Sequence, residues 1–168
     1  MAVIDRRTSQ RRADRSRRKT ERTPFRKSRR LRERVRALGV DMDLVRPEEV
    51  MLQVQSAIEA GESYCVANYN LHGVYLARKN PDFAKFCDMA DLIEVDSTPM
   101  ILFTRILGLH ARPFHRCTYL DWREHFWSLA QREGWKVYYL GGAPGVADIA
   151  AQRLKAAYPK VSLRTRDG

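Results

Sequence analysis

Cysteine is scarce in this chain: Cys65, Cys87 and Cys117 are three in number, far apart and without a CxxC pair. That argues against a disulfide framework and against a zinc site, so a reducing, cytosolic setting is expected. Long apolar runs are lacking too. No stretch approaches the roughly 18 to 20 apolar residues that cross a bilayer, and the first residues hold no apolar core of the signal-peptide kind. A soluble or membrane-peripheral protein is expected. Acidic residues are rare where cations abound: residues 1–36 carry 16 Lys/Arg against 4 Asp/Glu, and the remainder 15 against 16. The net charge of +11, which over a whole domain would point to nucleic acid, therefore belongs to a tail on a nearly neutral body.

What is present fits one domain of ordinary size, with 168 residues of which 44% are hydrophobic. Residues 1–36 read as a basic disordered tail, because they hold little apolar surface whose burial could offset ordering entropy. A nascent helix is expected over residues 29–38. The tail's charge suits attachment to anionic lipid or to RNA, and equally a solubilising segment with no partner.

Residues 37–168 alternate short apolar runs with amphipathic stretches, the pattern of an α/β fold with a Rossmann-like, mostly parallel sheet flanked by helices. Strands are expected over residues 63–67, 92–95, 136–140 and 161–164. Helices are expected over 47–60, 81–89, 99–107, 121–133 and 146–157. In the last of these, Val146, Ile149, Ala150, Leu154 and Ala157 recur at the spacing that lays one stripe on a sheet.

Four places could carry chemistry. Residues 135–148, WKVYYLGGAPGVAD, run a strand through Gly141 and Gly142 into a helix, a turn that lets backbone approach a ligand and aims N–H groups at an anion. It is not the GxGxxG fingerprint, and a tight turn explains the glycines as simply. Asp96 falls at the C-terminal end of the strand in DLIEVDSTP, where α/β sheets collect ligands and a carboxylate can serve as general base. Capping the next helix, by Asp96 or Ser97, is the plainer use. The strand exit at Asn68, Asn70 and His72 offers carboxamides suited to sugar hydroxyls, or simply loop formers. In RCTYLDW, Arg116 suits bidentate diphosphate recognition, with Asp121 opening a helix; a surface arginine and a helix cap are the alternatives. Cys117, with no base identified beside it, reads as a packing residue.

Taken in order, these places resemble the WecG/TagA/CpsF family, glycosyltransferase family 26. That family has a Thr/Asn-x-Asn element, an ADLV-x-x-DG strand, an R-x-T-x-x-D element and GW-x-V-x-x-LGG-x-PGVAE. This chain offers Asn68-Tyr69-Asn70, ADLIEVD at residues 90–96, RCTYLD at 116–121, and residues 134–148. The resemblance runs from about Leu38 to Gly168. It implies a metal-independent, inverting transfer of an N-acetylhexosamine or hexose, such as N-acetylmannosamine, from a UDP-sugar to a polyprenyl-diphosphate-linked sugar. No cofactor is implied. Such enzymes build cell-envelope polysaccharides at the inner face of the membrane. By the resemblance Asp96 is the catalytic base, Asn68, Asn70, Arg116 and Asp121 belong to the substrate-binding elements, and Gly141 and Gly142 form the turn beside the nucleotide.

Two departures stand out: Asn68 replaces a common Thr, and Ser97-Thr98-Pro99 replaces a Gly-led turn. The family also continues past the Asp167-Gly168 pair into further strands and a membrane-contacting segment. Marginal stability, self-association into homo-oligomers through an uncovered sheet edge, and little turnover are therefore expected of the 168 residues alone. A reading of a different class remains beside the transferase: a non-catalytic nucleotide-binding or interaction module held to RNA or membrane by its tail.

Overall fold

A computed structural model describes Ala2–Val3 and residues 33–168, and the rest of the basic tail lies outside the described residues. The architecture is mixed α/β, with parallel strand pairs flanked by helices as the sequence suggests. The described residues fall into two compact units, residues 33–123 in one and Ala2–Val3 with 124–168 in the other.

The unit of residues 33–123 opens with an antiparallel hairpin of β2 (Glu33–Ala37) and β3 (Val40–Leu44). Its turn, Leu38-Gly39, has φ of +55° and +83°, which matches the right-handed twist of the flanking strands. The strands alternate. Val35, Ala37, Met42 and Leu44 enter the core, while Arg34 stands opposite Asp43 and Arg36 opposite Asp41. This corrects the expectation of a nascent helix over residues 29–38: from Glu33 onward the arginines are the outward positions of a strand.

Asp43 is fully buried and accepts three hydrogen bonds, from Arg34 Nε at 2.9 Å and Nη2 at 2.7 Å and from the Ile93 backbone N–H at 2.8 Å. A buried carboxylate is tolerable only when so partnered. Its bond to Ile93 fastens the hairpin to the next strand pair.

That pair is parallel: β4 (Val66–Tyr69) and β5 (Leu92–Val95), with Val66 opposite Leu92 and Tyr69 opposite Val95. Strand β4 begins three residues later than expected, so Asn68 lies inside the strand rather than at its exit. Residue Cys65 is still tied down, its N–H bonding Asp91 Oδ2 at 2.9 Å and its carbonyl taking the Asp91 and Leu92 N–H groups. Helices α1 (Pro47–Glu59), α2 (Leu71–Lys79) and α3 (Pro81–Met89) connect and cover these strands. Both α1 and α3 carry Pro at the first turn, where no N–H is needed. The unexpected helix is α2, capped by the Asn70 side chain. After β5 come α4 (Thr98–Ile106), a 3-10 turn (Pro113–His115) and the start of α5 (Tyr119–Arg132).

In the other unit, β6 (Lys136–Leu140) and β7 (Ser162–Arg166) pair in parallel across α6 (Val146–Ala157), and β1 (Ala2–Val3) lies antiparallel to β6. Rings of Phe126, Trp127, Trp135 and Tyr158 meet there edge-on, tilted or stacked with centroids 5.2 to 6.3 Å apart, supplying the apolar burial that a short βαβ segment needs.

Candidate functional site

Along a parallel pair, registered residues face the same side and successive residues alternate. One face of β4–β5, Ala67 and Tyr69 with Ile93 and Val95, lies in the main core. The other face changes character along its length. It begins apolar with Val66 and Leu92, packed with Val45, Val50 and Cys117, and continues with Asn68 opposite Glu94. One alternation further, just past the strand ends, stand Asn70 and Asp96. The ladder carries on to that point, since the Asp96 N–H donates to the Tyr69 carbonyl at 2.8 Å. Polarity thus gathers at the C-terminal edge, the edge where α/β sheets bind ligands.

At that edge Asp96 is spared the capping task. Ser97 is the N-cap of α4, its hydroxyl accepting from the Met100 N–H at 3.5 Å. Asp96 instead lies 3.8 Å from Arg116 Nη1, and the two side chains are 38% and 40% exposed, open to a ligand. Burial raises the Asp96 carboxyl above the ordinary carboxylate range, Arg116 pulls it back down, and Asp121 pushes it up. The cation therefore opposes the effect of burial and favours the ionised form.

Arg116 reaches Asp96 because its own segment joins the strand: Val95 and Arg116 form a parallel bridge, and the Cys117 N–H donates to the Val95 carbonyl at 3.0 Å. The guanidinium also donates to Asp121 Oδ1 at 3.0 Å. The second oxygen of Asp121 accepts from the Thr118 N–H at 2.9 Å while the Thr118 hydroxyl accepts from Leu120, so Asp121 fixes both Arg116 and the first turn of α5. Capping and cation holding, weighed as alternatives from the sequence, are both performed by this one side chain.

Of the other carboxamides, Asn70 is committed to α2, its Oδ1 accepting from the Gly73 N–H at 2.8 Å, which leaves its NH₂ group as a donor. Asn68 is exposed on the polar face. His72 stacks on Tyr75 with centroids 6.2 Å apart.

Glu94 is the residue that sequence reasoning passed over. It is 2% exposed, and its Oε1 accepts from Trp122 Nε1 at 2.6 Å and from the Cys117 thiol at 3.2 Å. Burial raises its carboxyl, and the two hydrogen bonds partly offset that. Burial and Glu94 together push the Cys117 thiol up, which makes Cys117 an inert packing and bonding group. Glu94 thereby ties β5 to both ends of the segment that carries Arg116 and Asp121. The signal was available as a lone carboxylate in the middle of the apolar run LIEV, at the same alternation as Asp96.

Gly141 and Gly142 belong to the other unit. Their φ values of +138° and +88°, with +83° at Gly145, lie where side-chain-bearing residues are strained. A Cβ on Gly142 would stand 3.3 Å from Val146 Cβ. The turn is closed by the chain's own residues: the Gly141 N–H bonds the Arg166 carbonyl at 3.0 Å, and Gly168 bonds Gly142 at 3.1 Å. No side chain caps α6, although the Gly145 N–H meets Asp167 Oδ1 at 3.3 Å. The first turn of α6 therefore retains N–H donors of the kind that hold anions.

Among the described residues no three His, Cys, Asp or Glu side chains converge as a metal-ligand set, and no helix is long and apolar enough to cross a membrane. No individual curated protein matches the chain. The model of the glycosyl transferase WecG/TagA/CpsF family matches residues 35–168. Nearly all of the described chain is covered by that match. The chain belongs to the WecG/TagA/CpsF family of glycosyltransferases, enzymes of cell-envelope polysaccharide synthesis.

Proposed function

We propose that the chain transfers an N-acetylhexosamine or hexose, such as N-acetylmannosamine, from a UDP-sugar to a polyprenyl-diphosphate-linked sugar, with inversion and without a metal. The observation that carries this reading is the Asp96–Arg116 pair at the C-terminal edge of β5, half-exposed and released from capping by Ser97. Asp96 is the base. It takes the proton of the acceptor hydroxyl, whose oxygen attacks the anomeric carbon from the face opposite the departing UDP, so that one C–O bond forms as the other breaks.

Arg116 then has two duties. It favours the ionised form of Asp96, and it offers the remaining guanidinium donors to the diphosphate, where negative charge grows as UDP leaves. Asp121 holds that guanidinium in place. Asn68 and the NH₂ group of Asn70 lie on the same polar face and suit sugar hydroxyl or acetamido groups. The Gly141-Gly142 turn and the uncapped start of α6, in the other unit, are by themselves of the kind that binds a nucleotide phosphate. An acceptor carried on a lipid implies work at the cytoplasmic face of the membrane, in peripheral contact with it, and the basic tail suits that setting.

Incubating the chain with UDP-sugars and a lipid-linked acceptor, and measuring UDP release, tests the proposal. Release that depends on the acceptor supports it. Indifference to every UDP-sugar tried, together with tail-dependent RNA or vesicle binding, would favour a tail-driven interaction module instead.

A further inference from the structure

Helix α4 starts directly after Asp96 and Ser97, and it is apolar on both its inner and its outer side. Its inner side, Met100, Ile101 and Thr104, is buried. Its outer side is not: Leu102 is 54% exposed, Phe103 45%, Ile106 70% and the following Leu107 59%. At 100° per residue these four occupy one continuous arc of the helix. The 3-10 turn packs beside α4 and adds Phe114, itself 48% exposed, with the Arg46 guanidinium 4.4 Å above its ring. A helix apolar on both sides is ordinarily covered, and a contiguous exposed patch of this sort marks an interaction surface.

The charges around the patch indicate what covers it. From residue 97 to residue 120 there is no Asp or Glu, while Arg105 and Arg112 are present; Arg116 is already held by Asp96 and Asp121 at the borders of this segment. Arg105 lies on α4 at the border of the apolar arc, and Arg112 opens the 3-10 turn. Two copies joined through this face would bring arginines together with no carboxylate in the segment to receive them. An anionic bilayer supplies both complements, acyl chains for the leucines, isoleucine and phenylalanines and phosphates for the cations.

We infer that the outer face of α4, with Phe114, is a lipid-docking surface that seats the chain on an anionic membrane. Because α4 begins beside Asp96, seating it there places the polar edge of β5 close to the headgroup layer, where the diphosphate and first sugar of a lipid-linked acceptor reside. That purpose rests on the transferase reading, whereas the surface itself does not.

Flotation of the full chain with phosphatidylglycerol and with phosphatidylcholine vesicles, at salt of about 0.1 M and about 0.5 M, tests the inference, since screening at the higher salt weakens attraction by the basic tail. The wild-type chain should still float with phosphatidylglycerol at high salt. A Leu102→Glu/Ile106→Glu variant should lose roughly tenfold or more of that binding, given the apolar area removed from the bilayer. Met89→Glu, an exposed apolar position where α3 leads into the opposite end of β5, should bind as wild type. A Phe103→Trp variant reads insertion without adding charge, and its emission should be quenched by brominated phosphatidylglycerol beyond the quenching of the three native tryptophans.

Undiminished high-salt binding by the double variant, or no added quenching at residue 103, overturns the proposal. So does sedimentation showing a wild-type dimer that the double variant dissolves while vesicle binding persists, for the face would then join two copies. The two readings fail separately. UDP-sugar binding without α4-dependent flotation removes the docking surface alone, and flotation without UDP-sugar binding removes the transferase reading alone.

Discussion

Replacing Glu94 by Ala should destabilise the unit of residues 33–123, because the change deprives Trp122 Nε1 and the Cys117 thiol of an acceptor at 2.6 and 3.2 Å in a site that is 2% exposed. A buried donor stripped of its acceptor costs about 1 to 3 kcal/mol, and the void left by the side chain adds to it. Relief from burying a carboxylate offsets part, which leaves a net loss of about 2 kcal/mol. Glu94→Gln should behave differently, since its amide oxygen can keep both bonds without a buried charge.

The pH dependence separates the two effects. Burial places the carboxyl of folded Glu94 above its unfolded value of about 4.3, so between the two values the folded chain binds more protons than the unfolded one. Stability from this group is therefore fully present below the unfolded value and is lost as pH rises through the folded one. Urea unfolding followed by tryptophan fluorescence, for wild type and Glu94→Gln, should show the variant gaining on wild type as pH rises. A difference that does not change with pH, or an Ala variant as stable as wild type, would refute the account of Glu94 as a buried, bonded carboxylate.

The remaining predictions concern the site and the turn. Asp96→Asn keeps the shape but cannot take a proton, so whatever UDP release the wild-type protein gives with a lipid-linked acceptor, tested with the family's C-terminal elements joined to it, should fall by roughly 10² to 10⁴ while donor affinity changes little; turnover near wild type would remove Asp96 as the base. Arg116 lowers the Asp96 carboxyl, so in Arg116→Ala the acid limb of the pH–rate profile should move to higher pH, and an unmoved limb would sever the coupling. Gly142→Ala forces a side chain onto φ of +88° and within 3.3 Å of Val146 Cβ, which should cost about 1 to 2 kcal/mol in thermal melting; an unchanged melt would show that the turn relaxes freely.

Much of the α/β pattern was legible because its elements announce themselves locally. Pro81, after the Asn80 cap, starts α3 where expected, and the apolar runs 92–95 and 136–140 became β5 and β6 at the expected bounds. The hairpin was hidden for two reasons. Its turn is Leu-Gly rather than Asn-Gly, and Arg34 and Arg36 continue the composition of the tail, so their alternation with Val35 and Ala37 shows only once Asp43 and Asp41 stand opposite. Helix α2 was obscured because Asn70 resembles a loop former until its bond to Gly73 marks it as a cap.

At the candidate site, the order of motifs put the residues forward, but sequence could not divide the hydrogen bonds and caps among them. Whether Asp96 or Ser97 caps α4 is decided by which oxygen faces Met100, a matter of about one residue of register. That Arg116 approaches Asp96 depends on the bridge between Val95 and Arg116, a pairing across 21 positions that no local pattern contains. Glu94 escaped notice because a single acid in a short strand reads as an outward position until Trp122 and Cys117 are seen to close over it.

Titration of UDP onto the wild-type chain and onto Arg116→Ala, at neutral pH and fixed salt, tests the central claim most directly. It reads the proposed diphosphate contact without requiring turnover. The account predicts saturable binding to wild type and a loss of roughly tenfold or more in Arg116→Ala, the worth of a charge-assisted bidentate contact. No binding to the wild-type chain, or equal affinity in the two proteins, would contradict the assignment of the Asp96–Arg116 edge as the donor site.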